Sequence, residues 1–133
     1  MKNFEIQLRV RYAETDQMGV VYHGNYAQYF EMGRVEWLRN LGLSYKKLEN
    51  TGVMLPVVSL SMTYKKPALY DDLLTVRTLF KSQTSVKIEF DYEILNEAGD
   101  LLTIGNSVLV FVDMKTKRPV VPPAYIIERL SSL

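Results

Sequence analysis

The sequence predicts an α+β domain in which one long helix is wrapped by a curved antiparallel sheet of about five or six strands. Three observations carry this. Residues 26–41 place Tyr26, Tyr29, Phe30, Gly33, Trp37 and Leu41 at steps of three and four, the spacing of a helix with one buried face. Residues 4–12 and 86–94 alternate apolar with polar or charged side chains, the period of a strand with one face in a core. Further apolar runs, separated by turn residues, supply enough strands to cover the helix.

In chain order, the first strand runs over 4–12, with Phe4, Ile6, Leu8, Val10 and Tyr12 on its buried face. A loop follows over 13–21, marked by Asp16, Gly19 and several polar residues. Gly24 and Asn25 open the helix, Asn25 as its cap, and Gly42 stops it. Gly33 lies inside the helix, where it costs about 1 kcal/mol relative to Ala. That cost is expected where a sheet must approach closely. Glu31 and Arg34, three apart, are expected to pair on the helix surface. Ser44 caps a short helix over 45–49, closed by Asn50-Thr51-Gly52. One strand is expected over 53–64, with Pro56 near its start and Lys65-Lys66-Pro67 ending it. Asp71-Asp72 turns the chain into a strand lined by Leu74, Val76, Thr78 and Phe80. Residues 83–85 turn it again into 86–94, and residues 96–100 form a hairpin loop. A strand over 101–112, apolar on both faces in its second half, is expected to be central. A basic turn at 115–118, a short strand at Val120-Val121 and a closing helix over 124–130 complete a single domain spanning 1–133.

Composition narrows the function. Among 133 residues, sixteen basic and fifteen acidic side chains leave a net charge of +1, so no strong field favours nucleic acid or a membrane surface. The chain has no cysteine and one histidine. Disulfides, thiolate chemistry and a histidine-rich metal site are therefore excluded within one chain. The first twelve residues alternate rather than run apolar, so they read as a strand and not as a secretion signal. No apolar run approaches a bilayer's thickness. A cytoplasmic protein without a transmembrane segment is the expectation. There is no glycine-rich phosphate loop and no G-x-S-x-G elbow.

What remains is the stretch 12–39, which joins a lone loop carboxylate, Asp16, to His23 and the start of the long helix. Its residues Tyr12, Thr15-Asp16, Gly19-Val20-Val21-Tyr22-His23, Asn25-Tyr26, Glu31, Arg34 and Glu36 through Arg39 form a specific block. With Tyr64, Pro67-Ala68, Asp71-Asp72, Pro119 and Pro122, they resemble the hotdog-fold acyl-CoA thioesterases. The similarity is to the 4-hydroxybenzoyl-CoA thioesterase-like family, in its Tol–Pal-associated branch, and it covers essentially the whole chain.

The resemblance implies a helix wrapped by an antiparallel sheet. It also implies a homodimer or homotetramer formed through edge strands, with active sites between subunits. It implies that Asp16 is the catalytic carboxylate and that the backbone N–H at His23 polarises the thioester carbonyl. The chemistry fits these residue types. A thiolate leaves readily, so the reaction needs a nucleophile or base and a place for the developing oxyanion. Unpaired N–H groups at a helix start offer that place. The His23 ring stands open as a base, a binder of the leaving group, or a side chain whose backbone alone matters. Tyr22, Gly24 and Asn25 are expected to support the site; Tyr26, Lys65 and Lys66 are candidate substrate contacts, the lysines for phosphate. No metal or cofactor is expected, coenzyme A entering as part of an acyl-CoA substrate. An acyl carrier protein is a second candidate partner. The alternative to an enzyme is a non-catalytic module that binds an acyl chain or carrier protein.

Overall fold

The computed structural model describes residues 3–133. Seven strands and three α-helices follow the order β1 (Asn3–Arg9), α1 (Tyr26–Asn40), α2 (Tyr45–Asn50), β2 (Val53–Met54), β3 (Val57–Tyr64), β4 (Leu73–Thr84), β5 (Lys87–Leu95), β6 (Leu101–Val110), β7 (Val112–Asp113) and α3 (Ala124–Ser131). The main sheet has five antiparallel strands in the order β1-β4-β5-β6-β3, and β2 pairs separately with β7. The predicted α+β architecture is present.

The helix lies where its apolar stripe requires. Tyr29, Phe30 and Trp37 are buried, and fully burying side chains of this size contributes about 1.5–3 kcal/mol each. Phe30 stacks on Tyr92 of β5 at 4.6 Å between ring centres, and Trp37 meets Phe90 edge-on at 5.1 Å. Gly33 is the point of closest approach to β4. A Cβ there would stand 2.5 Å from Thr78 Oγ1 and 3.0 Å from Val76 Cγ1.

Several expectations are corrected. The first strand ends at Arg9, and Tyr12 sits in a 3-10 turn, Tyr12–Glu14, where the residue is 80% exposed. The strand expected over 53–64 is two strands, because Leu55-Pro56 interrupts it: β2 leaves the main sheet to pair with β7, and β3 alone lies on its edge. The run 101–112 divides in the same way between β6 and β7. β4 continues through Thr84, so the tight turn falls at Ser85, in the left-handed region at φ 53°, and at Val86. At 119–121 there is only an isolated bridge, Val112 to Pro119.

Arg34 does not pair with Glu31. It turns into the core, where Nε donates to Tyr45 Oη at 2.7 Å and Nη1 to Tyr92 Oη at 3.0 Å. A buried guanidinium needs several acceptors to offset its desolvation, and two tyrosines supply them where one exposed glutamate cannot.

Candidate active site

The loop from Thr15 to Val21 closes on itself through an antiparallel bridge, with Asp16 N–H donating to Val20 O at 2.9 Å. It is also tied to the segment after β3. Val21 N–H donates to Ala68 O at 2.8 Å, and Tyr70 N–H to Gly19 O at 3.1 Å. These bonds bring the loop, the helix start and the end of β3 around one open pocket of about 330 Å³. Asp16, His23, Tyr26, Lys65 and Lys66 all line it, so five of the residues singled out in sequence meet. Val20, Val21, Tyr64 and Pro67 complete the wall.

Asp16 is half-buried. Its Oδ1 accepts the Met18 N–H at 2.8 Å, an Asx-type turn that fixes the carboxylate. Its second oxygen has no hydrogen-bond partner among the described residues. In the same pocket wall as Asp16 lies His23, the first residue of a 3-10 turn, His23–Asn25, that runs directly into α1. The first hydrogen bond of this turn is from Asn25 N–H to Tyr22 O, at 2.9 Å. Among the described residues, nothing accepts from the N–H of His23 or Gly24. Two open donors at the positive end of a fifteen-residue helix create a place for negative charge.

The His23 ring is exposed and tilts onto the half-exposed Tyr22 ring at 4.3 Å between centres. Tyr22 lies over Gly24, where a Cβ would come within 2.7 Å of its Cε2. Gly24 therefore lets the ring press against the backbone at the donor end. Tyr26 is buried, its hydroxyl accepting Ala68 N–H at 3.4 Å, and desolvation pushes that hydroxyl's pKa up. Lys65 and Lys66 both donate their backbone N–H to Leu102 O, which ends β3 and turns them to the pocket. The Lys66 ammonium stands 3.6 Å from Asp100 in an exposed pair.

Asn25 is a correction. It has helical dihedrals and makes no cap bond; its Nδ2 donates instead to Glu14 O at 3.0 Å, the same carbonyl that accepts Tyr22 N–H at 2.9 Å. Nothing in the sequence marks Glu14, yet it is the post to which the site is tied. Its carboxylate is buried and accepts Arg11 N–H, Arg11 Nε and the Tyr29 hydroxyl at 2.9–3.0 Å. Burial alone would raise this carboxyl's pKa, but the bonds from Arg11 and Tyr29 outweigh it and hold the pKa below the usual range. The Tyr29 hydroxyl is driven far upward by desolvation first and by Glu14 second.

A family model described as the thioesterase-like superfamily matches residues 10–130. The chain belongs to that superfamily. A relative, YneP of Bacillus subtilis, is 40% identical over 114 residues, 86% of this chain and 83% of its own length. The acyl-CoA thioester hydrolase YbgC of Escherichia coli is 32% identical over 126 residues, 94% of each chain. Among solved structures, a DHNA-CoA thioesterase from Staphylococcus aureus superposes with a TM-score of 0.94 at 36% identity, over 99% of this chain and 91% of that one. The α+β architecture is thus the hotdog fold of thioesterases. No helix among the described residues of this superfamily member is long and apolar enough to cross a membrane.

Proposed function

We propose that this chain hydrolyses the thioester of an acyl-CoA to a free acid and a thiol. The observation that carries the reading is one pocket lined by both Asp16 and His23, the latter at a helix start whose first N–H groups are open. The thioester carbonyl oxygen lies at the N–H groups of His23 and Gly24, which stabilise it as charge develops. Asp16 either attacks the carbonyl carbon, giving a mixed anhydride that water opens, or takes a proton from the water that attacks. In either route the carbon–sulfur bond breaks as the tetrahedral adduct collapses, to the anhydride (which water opens afterwards) when Asp16 attacks or directly to the acid when water attacks, and the thiolate leaves with a proton from solvent. Lys65 and Lys66 stand at the mouth for the coenzyme's phosphates. The His23 ring, turned onto Tyr22, is a packing group in this scheme, and the residue acts through its backbone. No metal or cofactor takes part.

The working unit is a homodimer. β3 is the edge of the sheet beside the pocket, and Val57, Val58 and Leu60 on it are exposed. An uncovered apolar edge is a template for strand pairing with a second copy.

The test is thiol release from acetyl-, hexanoyl-, palmitoyl- and benzoyl-CoA and from the matching acyl carrier protein thioesters. Wild type is expected to turn over at least one CoA ester, and Asp16→Asn to lose about 10²- to 10⁴-fold in kcat with its thermal unfolding unchanged. An Asp16→Asn protein that keeps full rate removes the mechanism. Saturable acyl-CoA binding without turnover would favour the non-catalytic module instead.

A further inference from the structure

Tyr64, the last residue of β3, lines the pocket, and no part of the scheme above uses it. Its hydroxyl lies 3.4 Å from the carbonyl oxygen of His23 and 3.3 Å from Met62 Sδ. The ring is held against Tyr26 at 5.3 Å between centres, so the hydroxyl is aimed by packing. The peptide carrying the His23 carbonyl also carries the Gly24 N–H, one of the two open donors of the proposed oxyanion site. In a trans peptide these two groups point in opposite directions, and no cis bond is present among the described residues. A donor on the carbonyl side therefore polarises and orients the N–H on the far side without touching the substrate.

We propose that Tyr64 is a positioning residue for hydrolysis, acting through the His23–Gly24 peptide on the oxyanion donor; this rests on the reading of the helix start as that site. The geometry fits a contact that tightens during reaction. At 3.4 Å the bond is long for O–H···O, and thioether sulfur is a weak competing acceptor. When negative charge builds at the Gly24 N–H, the His23 carbonyl becomes more basic and draws the hydroxyl away from Met62. An interaction that strengthens only in the transition state raises kcat and leaves substrate binding alone.

The test is Tyr64→Phe, which keeps the ring and removes the hydroxyl, assayed with the fastest acyl-CoA of the panel above. kcat is expected to fall about five-fold, the effect of one hydrogen bond, with KM within two-fold of wild type. In amide NMR spectra the Gly24 nitrogen resonance is expected to move upfield while that of Gly19 stays in place. Met62→Leu removes the competing acceptor, and its kcat is expected at or above the wild-type value. Wild-type kcat in Tyr64→Phe overturns the proposal. So does a loss expressed in KM, which means substrate contact, or an equal kcat loss in Met62→Leu, which means packing of β3. If Asp16→Asn is inactive while Tyr64→Phe is normal, only this inference fails. If both are normal, the reading of the site fails with it.

Discussion

Glu14 carries two loads: its carbonyl holds Tyr22 and Asn25, and its carboxylate holds Arg11 and Tyr29. The folded carboxyl has a depressed pKa, so its stabilisation is complete above the ordinary carboxyl range. It is lost as pH falls through the folded value. Glu14→Gln is expected to cost about 1.5–3 kcal/mol at neutral pH, the range for hydrogen bonds to a charged group. The variant's deficit is expected to shrink on acidification, because wild type then loses what the variant never had; urea unfolding at pH 7 and pH 3 measures both. A deficit that stays constant would mean the charge is irrelevant. That Asp16 and His23 share a pocket was legible in sequence, because a loop carboxylate shortly precedes the sole histidine at the start of the long helix. Glu14 was not, because its burial depends on Tyr29, fifteen residues on. Asn25 misled for a related reason: cap preference is local, and a carbonyl eleven residues back outcompeted it.

At the scale of elements, α1 is set on the sheet through Gly33, and the sequence indicated both the helix and the reason for the glycine. An alanine there has the better helix propensity by about 1 kcal/mol, yet its methyl would strike Thr78 and Val76, both fully buried. Overpacking costs about 1–3 kcal/mol. Gly33→Ala is therefore expected to lower the melting temperature, against its propensity, and a rise would show that the helix has room to shift. The breaks at Leu55-Pro56 and Phe111 were not legible. Unbroken apolar residues run through both, and only the pairing of β2 with β7 distinguishes a broken strand from a continuous one. Tyr64 stood out only through the resemblance, and its place beside the helix start was not legible, since it depends on loop 16–21 bonding to residues 68–70.

At the scale of the molecule, the five-stranded sheet leaves β3 with one neighbour, β6. The proposed pairing of two β3 edges would bring a second copy beside each pocket, since Tyr64 at the end of β3 lines it. Leu60→Glu puts a charge on this edge and is expected to shift sedimentation from dimer to monomer with a matching loss of thiol release. A fully active monomer would contradict the dimeric site. The central claim is an arrangement of atoms: a carboxylate and a pair of amide donors on opposite sides of a thioester carbonyl. The most direct measurement is a crystal structure of Asp16→Asn with an intact acyl-CoA. The carbonyl oxygen is expected about 2.7–3.1 Å from the N–H of His23 or Gly24, with residue 16 facing the carbonyl carbon from the other side. A thioester bound elsewhere, or one whose oxygen meets neither amide, would contradict the account.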